Sequence, residues 1–445
     1  MGKEYLIQEK PLKALLVFAL PMIIGNLFQQ FYTMVDSVVV GRFVGEQALA
    51  AVGASYSLTT VFISIAIGGG VGASVITSQY FGAREYGKMK SSVRTALTAF
   101  VVLSVVLGGF GLLFSHQIMV WLNTPQAALE QAAKYLRIYF LGLPFLFMYN
   151  ILSSMFNALG KSRIPLYLLI FSSVFNMILD VILVRSAGMG VAGVAWATLI
   201  AQGISAACSF CIFLREMKQY DERGSIGFFD RNEFSNMTKI ALPSILQQST
   251  VSIGMMLVQS VVNSFGTEML AGFSAGMRVE SICVVPMAAM GNVMSSYTAQ
   301  NIGAGKYDRV RQGYRTGYAI VFSFAVVLCL WMELAYRPLI QMFLGEQGSM
   351  LAFQTGTKYL KFIGWFFALI GLKMITDGVL RGAGDMKMFT VANLVNLGIR
   401  VVIAITCAPR WGIAFVWIAV PIGWLVNYLI SFGEYRTGKW KSNFN

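Results

Sequence analysis

Asp36 and Asp180 stand within long apolar runs of a chain that otherwise avoids charge. An ionised carboxylate at membrane depth costs at least ~2–3 kcal/mol, so an acid kept there marks an ion or substrate path by default. Around the first, Gln29, Thr33 and Asp36 recur at helical spacing and share one face. Around the second, Ser172 or Ser173, Asn176 and Asp180 form a stripe at i, i+4 spacing, and Thr198 and Gln202 form a similar pair on the next run. Carboxylate, amide and hydroxyl oxygens from several helices suit a hard cation. A clustered carboxylate pair equally suits a shared proton. Structural readings stand beside these: Asp36 as a helix-end residue near Arg42, and Asp180 as a partner for Arg185.

The second half of the chain is built differently. Lys373, Asp377 and Arg381 recur at i, i+4, i+8, which reads as self-neutralisation before it reads as a cleft lining. Gln247, Gln248, Gln259 and Asn263 make another run polar without any acid, and the position that answers Asp180 is Arg400. Arg278 and Glu280 stay open to either reading. Cation chemistry therefore belongs to the first half. Met255, Met256, Met277, Met287, Met290 and Met294 crowd the two runs after the midpoint. Core packing accounts for most of them, and flexible thioethers also suit a cleft for varied amphipathic ligands.

Other chemistry is excluded by inventory. His116, expected in an outer loop, is the only histidine, which rules out a histidine relay within the membrane. No His/Cys/Glu group has metal-ligand spacing, and no serine has an accompanying base. Cys208 and Cys211 make a C-x-x-C inside an apolar helix and read as structural. Gly188-Met-Gly190-Val-Ala-Gly193 has the outline of a dinucleotide fingerprint but lacks the following acid, so a tight outer turn is expected. Gly68 to Gly72 reads as close helix contact. An enzyme is not expected.

The elements that position these residues are membrane spans. Of 445 residues, 56% are hydrophobic and 12% charged, about half the charge of a soluble protein. Twelve apolar runs are long enough to cross a bilayer: about 13–36, 48–77, 93–114, 134–157, 165–185, 190–214, 238–263, 270–298, 313–336, 357–380, 388–408 and 412–433. The first mimics a signal peptide, yet Asn26, Gln29, Gln30 and Asp36 interrupt it without a cleavage site, so it counts as a span. The net charge of +14 does not point to nucleic acid. Its basic residues fall on alternate loops, among them Arg84, Lys88, Lys90 and Arg94, then Lys161 and Arg163, then Arg215 to Lys239, then Lys306 to Arg315. That asymmetry places both termini in the cytoplasm of a plasma (inner) membrane.

The two halves repeat. Ala19-Leu20-Pro21 returns as Ala241-Leu242-Pro243, and Gln79 to Ala83 as Gln300 to Ala304. Lys134-Tyr135-Leu136 returns as Lys358-Tyr359-Leu360, and Asn176 as Asn396. The expected layout is an all-α membrane protein: a six-helix lobe over 1–215, a cytoplasmic linker over 216–237 and a second six-helix lobe over 238–445. An even number of spans per repeat relates the lobes by a pseudo-two-fold axis along the membrane normal, with a cleft between them. Pro21 offers a hinge in the first span.

In their order, these motifs resemble the multidrug and toxic compound extrusion (MATE) family over essentially the whole chain. The carriers are Ala19-Leu-Pro, Met34-Val-Asp-Ser-Val-Val-Val-Gly, Gln79 to Ala83, Asn157-Ala-Leu-Gly-Lys, Asn176 to Asp180, Gly190-Val-Ala-Gly-Val-Ala-Trp and Leu380-Arg-Gly-Ala-Gly-Asp. The resemblance implies a V-shaped pair of lobes that exports cationic amphipathic compounds in exchange for Na⁺ or H⁺. It assigns the coupling ion, including Na⁺ as a metal, to Asp36, Asn176 and Asp180, with Tyr135 and Thr198 beside them. NorM-like members carry an acid in span seven where this chain has Gln247 and Gln248, which places it nearer the DinF-like branch. The substrate surface is expected to draw on Gln29, Gln202, Gln248, Met255, Met290 and Asp377. Expected partners are small organic cations and membrane lipids, no nucleic acid, and no cofactor beyond the coupling ion, for a chain working as a monomer. A flippase for lipid-linked precursors is the alternative. It would want a cationic cleft, and only Arg278, Lys373 and Arg400 lie at depth to supply one.

Overall fold

A computed structural model describes residues 4–43, 46–122, 124, 126–220, 227–344 and 348–441, with the side chains of 35–51, 53, 54, 56, 57 and 127 outside the description. Helices account for nearly all of it. They are α1 (Tyr5–Gln8), α2 (Pro11–Phe43), α3 (Glu46–Gly82), α4 (Tyr86–Trp121), α5 (Gln126–Ala158), α6 (Arg163–Asp180) and α7 (Val191–Met217). Then follow α8 (Arg231–Asn263), α9 (Thr267–Gly303), α10 (Tyr307–Leu344), α11 (Met350–Gly364), α12 (Phe367–Gly382), α13 (Met386–Thr406), α14 (Ala408–Trp411) and α15 (Ala414–Thr437). Among the described residues eleven helices are long and apolar enough to cross a membrane, and α11 with α12, bent by 53° at their junction, makes the twelfth. In hydrocarbon every backbone group must bond within its own segment, which is why the apolar runs are helices and nothing else. The chain is a multi-pass membrane protein. His116 lies within α4 and not in a loop, because the helix runs on to Trp121.

The chain folds as two compact units. One comprises residues 24–245, the other residues 1–23 together with 246–445. The boundaries therefore differ from a division at the 216–237 linker. Both fall inside helices, within three residues of Pro21 in α2 and of Pro243 in α8. Proline removes one backbone hydrogen bond of the helix, so each is a place where one continuous helix can serve two units. The start of α2 contributes Ala14, Leu15, Phe18 and Ala19 to a core that includes Val258, Phe273, Tyr297, Tyr359, Phe367 and Trp417. The core of the other unit is built on Phe81, Phe100, Phe140, Phe147, Phe156 and Phe213.

The repeat is visible in the turns. After α3, α5, α9 and α12 the chain reverses through one hydrogen-bond pattern. Glu85, Lys161, Lys306 and Asp385 each donate a backbone N–H to the carbonyl five residues back, and the residue before each donates three back. This doubly bonded helix stop needs a left-handed residue, supplied by Gly160, Gly305 and Gly384, with Arg84 (φ 59°) in the fourth.

Small residues set the helix spacing in the first unit. A Cβ on Gly68 would lie 2.6 Å from the Ile245 backbone nitrogen, and one on Gly72 would lie 2.7 Å from the Met237 carbonyl oxygen. The expected Gly68-x-x-x-Gly72 contact thus seats α3 on the first half of α8. Asp230 caps the start of α8, its carboxylate accepting from the N–H groups of Asn232 at 2.8 Å and Glu233 at 3.2 Å.

In the other unit, α1 is tied to the turn after α9. Arg309 donates to the carbonyls of Leu6 (3.2 Å) and Glu9 (2.6 Å), Lys306 to that of Ile7 (3.2 Å) and Asn301 to that of Leu6 (3.1 Å). These carbonyls close the end of a one-turn helix and would otherwise lack partners.

Candidate functional site

Asp180 is the last residue of α6 and is 1% exposed. The helix widens immediately afterwards into a π-helical turn, Val181–Ser186. Single wide turns of this kind collect at functional sites. The chain then reverses through Gly188 (φ 61°) and Gly190 (φ 57°) into α7, which is the tight turn expected of this glycine run. A Cβ on Gly193 would sit 3.2 Å from the Leu183 carbonyl, so this glycine lets the start of α7 close on the wide turn. α6 and α7 are thereby locked side by side, with Asn176 against Thr198.

Asn176 is 2% exposed and is the hub of the site. Its amide lies 2.6 Å from the Tyr32 hydroxyl of α2. The amide orientation that serves both of its ends has Nδ2 donating to Asp180 Oδ2 at 2.9 Å and Oδ1 accepting from the Thr198 backbone N–H at 3.0 Å. That orientation is assigned from the hydrogen-bond network. The Thr198 hydroxyl donates to the Val194 carbonyl at 3.1 Å and lies 3.3 Å from the Asn176 amide. Three helices, α2, α6 and α7, thus meet on a single amide.

Tyr135 and Gln202 belong to the same neighbourhood. Together with Tyr139, Gly142, Thr198 and Leu199 they line a crevice of about 10 Å³ between α5 and α7, enough for roughly one water molecule. Tyr135 also packs against Val184, Val191 and Val194 around the wide turn. Asp36 follows one turn after Tyr32 in α2, and its side chain lies outside the described residues. Gln29 is exposed, its carbonyl accepting from the Thr33 hydroxyl at 2.9 Å.

The polar residues of the other unit form networks of their own. Lys373 Nζ lies 3.3 Å from Asp377 Oδ2 and 3.2 Å from Asn393 Oδ1. Asp377 Oδ1 accepts from the Ser431 hydroxyl at 2.6 Å, and Asn393 Oδ1 also accepts from Gln247 at 3.2 Å and Asn427 at 3.1 Å. The two charged side chains are 5% and 4% exposed. Asp377 is therefore neutralised inside its own unit instead of lining a surface. Met290 is likewise a core residue at 3% exposure, packed in the same apolar cluster as Met287 and Met294. Gln248 is exposed, and Met255 is half-buried beneath Arg400, whose Nη2 is 3.7 Å from its sulfur. Tyr32 was not singled out by its sequence context, although it lies four residues before Asp36 and so on the same stripe.

Twelve apolar crossings, two compact units with repeated turns, and a buried carboxylate–amide cluster define a helical transporter-like membrane protein. The chain belongs to the MatE family, whose profile matches residues 21–182 and 243–406. It is 31% identical to the probable multidrug resistance protein YpnP of Bacillus subtilis over 98% of this chain and 97% of the relative. It is 28% identical to the probable multidrug resistance protein YoeA of the same organism, over 95% of this chain and 93% of the relative. In fold it is similar to a MOP superfamily transporter from Pyrococcus furiosus, with a TM-score of 0.91 at 23% identity and 99% of each chain covered. Family membership does not favour the flippase alternative.

Proposed function

We propose that this protein is a secondary active antiporter that exports cationic amphipathic compounds in exchange for H⁺ or Na⁺, with the coupling ion held at Asn176 and Asp180 and with Asp36 contributing from α2. The observation that carries this reading is Asp180 itself, a carboxylate only 1% exposed in a membrane span and partnered by a neutral amide. Keeping such a group is costly unless a mobile ion uses it. Tyr32, Tyr135 and Thr198 position the amide and the carboxylate; they are not themselves charge carriers.

Asn176 can serve either ion, because a half-turn of its amide exchanges Nδ2 for Oδ1 beside Asp180. With Nδ2 toward Asp180, a proton joins the carboxylate without disturbing the amide. A sodium ion would call for Oδ1 at the same place, and so for a half-turn of the amide away from the Thr198 N–H. Export follows only if ion and substrate favour different conformations, because a ligand with equal affinity for both shifts nothing. In this reading the protein sits in the plasma (inner) membrane as a monomer with both termini cytoplasmic, and it takes small organic cations from the cytoplasm and the lipid around it.

The test is reconstitution in proteoliposomes, following efflux of a fluorescent organic cation under a pH gradient or a Na⁺ gradient imposed separately. Efflux driven by the pH gradient supports H⁺ antiport, and efflux driven by Na⁺ alone supports the other arm. Equal downhill leak under both, and under neither, refutes antiport.

A further inference from the structure

α10 is longer than the membrane it crosses, and it breaks where it leaves. The helix has 38 residues, about 57 Å of length against ~30 Å of hydrocarbon. Arg309, Arg311 and Arg315 mark its start as lying at one membrane face. About 20 residues cross the hydrocarbon, so a crossing that begins after Arg315 ends close to Ala335. There the backbone turns non-helical (φ −111°, ψ 15°), and Pro338 follows. Before the break, Val327, Leu330 and Leu334 form one lipid-facing row, exposed by 60%, 58% and 84%. Past it the row continues as the exposed Arg337, Pro338 and Gln341, while Leu339 and Ile340 stay buried.

The end of the helix opens a cleft of about 930 Å³, whose lining includes Arg337, Gln341, Met342, Met350 and Phe353. Arg337 Nε donates to the Tyr336 hydroxyl at 3.2 Å, and among the described residues neither Nη group has a partner. The Tyr336 ring carries a second cation, with Lys361 Nζ 4.5 Å from its centroid. That ammonium is already matched: it pairs at 3.2 Å with Glu333, which also accepts from the indole N–H of Trp365 at 3.1 Å. No acid stands among the described residues that line the cleft, so the Arg337 charge is uncompensated. A planar guanidinium with a free edge takes a phosphate through two parallel hydrogen bonds. Tyr336 and Trp365, the latter 69% exposed, sit where aromatic side chains collect at headgroup depth.

We propose that the broken end of α10 binds an anionic phospholipid. Its phosphodiester sits on the Nη edge of Arg337, its chains lie along Val327, Leu330 and Leu334, and its headgroup enters the cleft beside Gln341. A zwitterionic lipid fits less well, because its ammonium finds no carboxylate in the described lining and Glu333 is already engaged. The bound lipid fastens the emergent end of α10 at the membrane surface, so the stability of this unit follows the anionic lipid around it. The antiport reading is not needed for this site.

The experiment uses the full chain, purified in a neutral detergent, and reads the apparent melting temperature with one of three additions. These are phosphatidylglycerol, phosphatidylcholine with the same chains, and soluble glycerol 3-phosphate. Wild type should gain about 2–4 °C from phosphatidylglycerol, less than half of that from phosphatidylcholine, and nothing from glycerol 3-phosphate. Arg337→Gln should erase the difference between the two lipids. Arg410→Gln is the control and should keep it: Arg410 is an exposed arginine beyond α13, which starts from a repeated turn as α10 does and so ends at the same face. Leu334→Gln, on the row that holds the chains, should cut the gain as well, and it carries the test if Arg337→Gln does not fold. A wild-type difference in both Arg337→Gln and Leu334→Gln overturns the proposal, as does an equal loss in Arg410→Gln. So does phosphatidylcholine matching phosphatidylglycerol, or glycerol 3-phosphate supplying the whole gain.

Discussion

The buried pair Lys373 and Asp377 offers the sharpest test of how the second unit handles charge. Lys373→Gln would leave the Asp377 carboxylate, 3% exposed, with the Ser431 hydroxyl and the Asn393 amide but no cation at 3.3 Å. Removing one partner of a buried pair costs about 3–5 kcal/mol, whereas replacing both by apolar groups of similar volume is often neutral. Because Asp377 retains two hydrogen bonds, the lower end of that range applies, a loss of roughly 3 kcal/mol. Lys373→Met with Asp377→Leu should cost less than the single change, although Ser431 and Asn393 then lose a partner at about 1 kcal/mol each. The assay is thermal unfolding of the detergent-purified protein followed by size-exclusion chromatography, with Lys373→Gln, Asp377→Asn and their combination forming a cycle. The reasoning fails if Lys373→Gln with Asp377→Asn costs the sum of the two single changes, since the charges would then be uncoupled. It also fails if Lys373→Gln costs less than ~1 kcal/mol, the scale of an exposed pair. The double variant should also keep the ion dependence of wild-type transport, because the pair is structural.

Two further outcomes can be checked on the same preparation. Asp385, in the turn between α12 and α13, is 8% exposed, and burial, reinforced by the Glu434 carboxylate, pushes its pKa up to about 6, with Lys439 pulling the other way. The folded protein therefore holds this proton more tightly than the unfolded chain, so stability falls as pH rises from about 4 to about 6 and stays reduced above. Asp385→Asn should abolish that slope, worth ~1–3 kcal/mol, with little change at pH 4; an unchanged melting profile between pH 5 and 7 counts against it. At the helix contact, Gly72→Ala should cost roughly 1–3 kcal/mol by forcing α3 off α8, because its Cβ would meet backbone at 2.7 Å. The exposed Gly109→Ala, which meets nothing within 4 Å, is the control and should be neutral or mildly stabilising.

Most of the architecture was legible in sequence because a bilayer imposes length and polarity on each span. The number of crossings, the acid-bearing stripe on α6, the glycine turn before α7 and the glycine seam on α3 all follow from local spacing. What local spacing could not show is which distant residues meet. The network around Lys373 and Asp377 draws on positions 247, 393, 427 and 431, on three other helices. Glu280 and Tyr359 are 79 residues apart, so their hydrogen bond follows from neither run. Tyr32 was hidden for a different reason: an aromatic at a helix surface usually packs, and only the position of Asn176 reveals its hydroxyl as a ligand. The division into units was obscured as well, because proline weakens a helix without ending it, so α2 and α8 each read as one span. His116 read as loop because the apolar run ends at about 114, while α4 continues past it to Trp121.

The central claim is that Asp180 converts an ion gradient into movement of substrate. Asp180→Asn is nearly isosteric and keeps a polar group for Asn176 while removing the charge. In proteoliposomes, gradient-driven efflux of an organic cation should fall to the level seen without a gradient, while substrate–substrate exchange continues. Gradient-driven efflux at the wild-type rate in this variant would contradict the account.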